Sequence, residues 1–540
     1  MRTKLLRLPV LALLAIAATA LAACGSDSGS DTADLGPDPA SMVPADTPFY
    51  LEAVVRPEGQ LSDDLDSALS KLLVTDDVSG KLHAAIDEGL ASEGEDLTYE
   101  NDIAPWLGAR AGVYFNGYDA KSDEPEGAAV VAVTDADAAQ SFLDKASASG
   151  HGKTKQQDYN GVQLTVSSDD TAVGIDGDFL LAGTSQGVED AIDAKDGDNF
   201  AGVDDSTTGL DEVPDDSIFS LYADPQGALD LVKSSGSVPA DQLEQIEDQL
   251  GQMGDGPIDA WGTVTESSLG IGASAPAADD ASDPTDLLTT FPADSWFAFA
   301  ATGVGDQLAS SIAQFKAGFE AGFTDAAPGI SQQVDPIQAF QDATGLNLEQ
   351  DLAWIGDVGG FVEGASIFGL GGGLVVTTDD QQAAEDAVTK LQQALGKVRG
   401  IKVTPSQSGF DVQAQGAPLG AQVAVEDDKV VLAAGADTVD DVLSPSEALG
   451  DSDTFQAAED DLGNDLTPGF FVNFAPILDL VDSTGQSDAD IESARPYLNA
   501  LDFLIGGSKV DGDRSVAGFT LGVQDQPEDS DSTTAAVITP

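Results

Sequence analysis

Cysteine occurs once in this 540-residue chain and histidine twice. With Cys24 as the lone thiol, no disulfide, zinc–thiolate site or iron–sulfur cluster can form. Metal centres and general-base sites draw mostly on histidine, so having only His83 and His151 weighs against both. Positive charge is scarce too: 22 Lys+Arg stand against 95 Asp+Glu, a formal net charge of −73. Such a surface repels nucleic acid and anionic headgroups and keeps the chain soluble. Aromatic residues make up 6 %, which is thin for a sugar-stacking cleft. Beyond the N-terminus no apolar run is long enough to span a bilayer. Gly359–Val376 comes nearest, but Glu363 and its many glycines make it two strands and a turn. At 41 % hydrophobic and 22 % charged residues, the chain as a whole is globular in composition.

The single cysteine sits in an informative place. It closes Leu21-Ala22-Ala23-Cys24, directly after an uncharged apolar run, with Arg2, Lys4 and Arg7 ahead of that run. Residues 1–23 therefore read as a secretory signal peptide. A thiol at the cleavage point is the nucleophile that can take a diacylglyceryl group as a thioether. The amine freed by cleavage can be acylated too, and more than one chain gives stable anchoring. The expectation is a lipoprotein on the outer, extracytoplasmic face of the cell membrane, lipidated at Cys24, with Leu21, Ala22 and Ala23 as the processing motif. The small polar residues that follow, to residue 41, read as a flexible tether.

After the tether the chain repeats itself. Pro44-Ala45-Asp46 returns as Pro292-Ala293-Asp294, and Trp106-Leu107-Gly108 returns as Trp354-Ile355-Gly356 at the same displacement. A strand-then-helix pattern at Ala129–Asp135 recurs at Leu374–Asp379, and Phe179–Ala182 recurs at Val430–Ala433. Both copies close on a hairpin, Trp261–Thr265 with Leu269–Ala273 and Ile505–Val510 with Val516–Val523. Strands in adjacent pairs imply antiparallel pairing. The expected fold class is α+β: two tandem homologous units, each a mainly antiparallel sheet with packed helices. The units are placed at 42–274 and 290–523, with an acidic linker at 275–289 and a polar tail at 524–540.

The Pro-Ala-Asp strand opening, the lipoprotein signal and the Trp-Leu/Ile-Gly block together resemble an uncharacterised domain-of-unknown-function family of actinobacterial envelope lipoproteins. The resemblance covers nearly all of residues 42–523. It implies a location and a fold, and it transfers no functional residue.

Three motifs suggest chemistry and fail on context. Gly183-Thr184-Ser185-Gln186-Gly187 has the Gly-x-Ser-x-Gly spacing of a nucleophile elbow, but no histidine follows it. Ser185 and Asp437 read more simply as helix N-caps. Gly152-Lys153-Thr154 lacks the first glycine of a phosphate loop and lies between a helix and a strand, the reverse of what that loop needs. The glycine run Gly369–Gly373 leads into a strand, so close backbone approach explains it better than a dinucleotide. Of the Asp-x-Asp pairs, none extends into a full calcium loop.

Neither a catalytic residue, nor a cofactor, nor a metal centre is expected. One apolar stripe stands out: Phe315, Phe319 and Phe323 recur every fourth residue, as the face of a core helix or the wall of an apolar pocket would. The expected function is a non-enzymatic, lipid-anchored binding or scaffold module for an envelope protein or wall component. A carrier or sensor of an apolar or lipid ligand is the alternative, and a carboxylate-based hydrolase stands third.

Overall fold

The computed structural model describes residues 35–92, 97–119, 124–149, 154–204, 208–214, 216–235, 243, 246–247, 250–251, 254, 256–278, 283–305, 354–366, 369–416, 420–463, 465–483 and 489–526. By contacts the chain divides into two compact units. The first runs to Asp280 and includes Asp511–Val516 and Val523–Gln526; the second comprises Ala281–Val510, Ala517–Gly522 and Pro527–Pro540.

The strands of the first unit are β1 (Phe49–Val54), β2 (Leu107–Asp119), β3 (Glu124–Val133), β4 (Thr154–Tyr159), β5 (Val162–Ser167), β6 (Thr171–Asp176), β7 (Phe179–Thr184), β8 (Phe219–Ala223), β9 (Ile258–Thr265) and β10 (Ser268–Pro276). Its helices are α1 (Gln60–Leu72), α2 (Val78–Ser92), α3 (Ala136–Ser149), α4 (Ser185–Asp196) and α5 (Pro225–Ser235). Antiparallel pairing runs β4-β5-β6-β7-β3-β2-β1-β8-β9-β10. Asn160 and Gly161, both at positive φ, make the two-residue turn between β4 and β5.

The central strands β3 and β7 are apolar without alternation because both of their faces are covered. Val131 and Leu180 face a core with Ile86 and Leu90 of α2, Phe142 of α3 and the indole of Trp106. Val130 and Leu181 face another, with Met42, Tyr114, Leu164 and Val188 of α4. Trp106 is fully buried, its ring tilted against Phe142 with centroids 5.2 Å apart, and its Nε1 donates to the Asp102 carbonyl at 2.7 Å.

A buried ion pair completes this unit. Arg514 donates from Nη2 to Asp259 Oδ2 at 2.7 Å, from Nε to Ser274 Oγ at 2.7 Å and from Nη1 to the Pro257 carbonyl at 3.3 Å. Asp259 is fully buried. Gly209, at φ +82°, lies against the pair, and a Cβ there would sit 2.3 Å from Asp259 Oδ2. Glycine is thus required at 209 by both its backbone and its neighbours.

The second unit holds β11 (Ser295–Ala301), β12 (Val358–Glu363), β13 (Gly371–Thr377), β14 (Ile401–Pro405), β15 (Gly409–Ala414), β16 (Gly420–Glu426), β17 (Lys429–Gly435), β18 (Thr467–Asn473), β19 (Leu501–Asp511) and most of β20 (Arg514–Val523). Its helices are α6 (Gln381–Leu395), α7 (Val439–Leu443), α8 (Asp453–Leu462), α9 (Phe474–Ser483) and α10 (Ala489–Asn499). Pairing runs β14-β15-β16-β17-β13-β12-β11-β18-β19. Polar side chains start the helices: Asp380 accepts from the Ala383 amide, and Ser452 from that of Phe455.

The α+β expectation, with a separate sheet in each of two tandem homologous units, is overturned. Pairing joins all twenty strands into one large antiparallel sheet, and helices are the minority. The closing hairpins read as sheet ends because their sequences carry no sign of a further partner. An edge strand nevertheless leaves a row of N–H and C=O groups open to pairing, and pairing registers along the backbone, not in side-chain pattern.

Candidate functional site

The first unit packs both faces of its central strands; among the described residues of the second unit, one face carries side chains that are only part buried. Along β11 the side chains alternate. Ala298 stands opposite Phe361 of β12 and Phe471 of β18. This side is closed: Phe361 meets Phe291 at 5.3 Å and Phe471 meets Phe455 of α8 at 5.2 Å, all four rings buried.

The other face carries Phe297 and Phe299. Phe297 stands opposite Val362 and Val472, and Phe299 opposite Gly360 and Phe470. Each of these phenylalanines keeps part of its surface exposed. The Phe297 ring meets Phe470 edge-on at 5.7 Å and Phe299 at 6.0 Å. Phe470 is opposite Gly506 of β19, and a Cβ on Gly506 would lie 2.5 Å from the Phe519 ring. Phe519, of β20, is 57 % exposed. Phe299 and Phe519 thus lie over Gly360 and Gly506, which leave the floor bare for their rings. Helix α9, beside β11, reads Phe474-Ala475-Pro476-Ile477-Leu478, yet buries none of its residues. Part-exposed aromatics on one continuous face mark an interaction surface more often than chance.

Against the closed face, at the end of β12, lies a carboxyl cluster. Burial first, and the nearby Asp437 carboxylate second, push Glu363 up to about 7. Asp437 is raised as well, again chiefly by burial.

The residues singled out from sequence fall as follows. Cys24, its flanking Leu21, Ala22 and Ala23, the stripe Phe315, Phe319 and Phe323, and His151 lie outside the described residues. His83 stacks on Tyr99 with ring centroids 4.2 Å apart, a packing contact. Ser185 is not the cap of α4. Thr184 is, accepting from the Gly187 amide at 3.1 Å, while Ser185 Oγ donates to the Asp170 carbonyl at 3.1 Å. Asp437 is not a cap either, because Thr438 and Asp441 form a reciprocal capping box at α7. In both places a threonine one residue from the expected cap takes the role, a shift that sequence spacing resolves poorly. Among the described residues no cluster of three His, Cys, Asp or Glu side chains suits a metal ion, and no helix is long and apolar enough to cross a membrane.

Sequence reasoning missed Phe297, Phe299, Phe470 and Phe519. The signal was faint: Trp296-Phe297-Ala298-Phe299 puts aromatics at alternate positions, but alternation does not say which face is covered. It also missed the Glu363–Asp437 pairing, which joins residues far apart in the chain.

At the chain's entry, the segment ahead of β1 is tied to the sheet by charge. Arg110 bonds Glu52 at 3.0 Å, lies 3.8 Å from Asp38 and reaches the Gly36 carbonyl at 3.4 Å. Tyr50 donates its hydroxyl to Glu52 at 2.5 Å.

Three solved crystal forms of TP0453 are similar to this chain. Forms I, III and IV share 12 %, 9 % and 11 % identity with it, each at a TM-score of 0.24. They cover 46 %, 46 % and 45 % of this chain and 81 %, 83 % and 81 % of their own. No curated protein matches the chain. A family model does, over residues 7–504, and the chain therefore belongs to the family described as "Protein of unknown function (DUF3352)".

Proposed function

We propose that this chain is a lipid-anchored protein of the cell envelope whose second unit binds an apolar ligand, acting as a binding module and not as an enzyme. The row of part-exposed phenylalanines at 297, 299, 470 and 519 carries this reading. Held against strand backbone, such rings lose little freedom when a ligand covers them, so contact with an acyl or other apolar group is favourable at about 1.5–3 kcal/mol per ring fully buried. The acidic surface supports the same reading, since it disfavours anionic headgroups and leaves the apolar face as the attractive one. The second reading, a scaffold for a protein or wall component, has no comparable surface among the described residues to carry it.

Titration of the full chain with an uncharged fluorescent fatty-acid ester tests the site. Phe470→Ser and Phe519→Ser should each weaken binding by about tenfold, the equivalent of one lost ring contact. Unchanged binding in both variants would place the ligand elsewhere. Anchoring is tested separately: wild type should sediment with membranes, and Cys24→Ala should move to the soluble fraction. Retention of Cys24→Ala on membranes would remove the lipid anchor from the proposal.

A further inference from the structure

On the closed face of the second unit, two carboxyls lie beside a buried serine. Ser295 and Glu363 are opposite one another in the β11–β12 register, so their side chains leave the same face. Gly371 is next in that row, opposite Glu363. A Cβ on Gly371 would lie 2.3 Å from Asp437 Oδ2, so the Asp437 carboxylate fills the place a side chain would take there. Ser295 is only 2 % exposed, and its Oγ has no hydrogen-bond partner. Asp437 Oδ2 is likewise buried, with no N–H or hydroxyl reaching it. The Gly372 amide serves the same carboxylate, and the Glu363 carboxyl lies within hydrogen-bond reach. A carboxyl can donate only when protonated.

Among the described residues, the charged groups that act on Glu363 are acidic. Asp437 faces Glu363 from the segment after β17, Asp441 from the first turn of α7, and Asp294 from the turn before β11. The backbone does not demand carboxyls here. In the first unit the row across β1, β2 and β3 is Phe49, Phe115 and Gly127, with the rings 5.5 Å apart and Gly187 of α4 laid directly over Gly127.

We propose that Glu363 and Asp437, beside the buried Ser295, form a proton-binding latch: a proton shared between the two carboxyls helps fasten the segment 436–443, with α7, to the sheet, and its loss loosens that segment. Apart from these carboxyls, the Ala436 amide donates to the Leu370 carbonyl at 3.1 Å and the Val439 amide to Gln422 Oε1 at 3.3 Å. α7 is 5 residues long, and Val442 is its one buried side chain. The direction follows from the acid–base chemistry. Glu363 is held at about 7 in the folded chain against an ordinary 4.5. The folded state therefore keeps the proton more tightly than the unfolded one. The stabilisation is complete below the ordinary carboxylate range and is lost as pH rises through about 7.

Hydrogen exchange by mass spectrometry on the full chain tests this, reading peptides that cover 436–443. Glu363→Gln is the internal reference at each pH, because its amide donates to Asp437 as the protonated acid does and cancels the intrinsic pH dependence of exchange. At about pH 5.5 wild type and Glu363→Gln should be equally protected, and at about pH 8 wild type should exchange about tenfold faster. Asp437→Asn should also stay protected at the higher pH, since its amide can donate to an ionised Glu363. Equal exchange of wild type and both amide variants at both pH values would overturn the latch. So would calcium alone restoring wild-type protection at the higher pH, which would make the cluster a cation site.

Discussion

Arg514→Ala should destabilise the first unit by about 3–5 kcal/mol, read as a fall in the urea midpoint of its unfolding transition. The reason is asymmetric. Asp259 is fully buried, and Arg514 supplies both its countercharge and a direct donor at 2.7 Å. Removing the guanidinium strands a carboxylate away from water and also takes donors from Ser274 Oγ and the Pro257 carbonyl. Removing both charges is a different matter. An Arg514→Met, Asp259→Leu double variant should recover most of the loss, because desolvating two charges offsets much of their attraction. An Arg514→Ala protein within about 1 kcal/mol of wild type would show that the pair is solvated in solution and stabilises little.

Trp106→Ala should cost a similar amount, about 3–5 kcal/mol. The indole is fully buried between Phe142 and the helical turn at Tyr99–Ile103, so its removal leaves a cavity that close-packed neighbours fill only in part. Trp106→Phe should cost less, since it keeps much of the volume and loses chiefly the hydrogen bond to the Asp102 carbonyl. Calorimetry of the three proteins gives this ordering directly. If Trp106→Phe proved as damaging as Trp106→Ala, the indole would stabilise the fold through its hydrogen bond and not through the volume it fills.

Much of the local structure was legible before any tertiary information. Gly359–Val376 reads as two strands and a turn, and β12 and β13 occupy it. The closing hairpin read at Ile505–Val510 and Val516–Val523 is β19 and β20, with Gly512 between them at φ +62°. These features follow from alternation, from β-branched residues and from residues that tolerate left-handed backbone, all written within a few positions. The capping residues were off by one position or so, at Thr184 and Thr438, because adjacent polar residues compete for the same amide and only backbone geometry decides between them.

The sheet count and the candidate surfaces lay beyond that range. Whether Phe297 and Phe299 end up covered depends on what packs over β11, not on their own alternation. Glu363 showed itself only as a charge interrupting an apolar run, and Asp437 only as one acid among many. Their meeting depends on Gly371 leaving room between β12 and β17. The sequence by itself determined where strands and turns begin, because those depend on residue type and short-range spacing. Only the tertiary structure decided that the strands join in one sheet, which aromatics share a part-exposed face among the described residues, and which carboxyls lie together. Those are properties of pairing between distant segments, which local pattern does not encode.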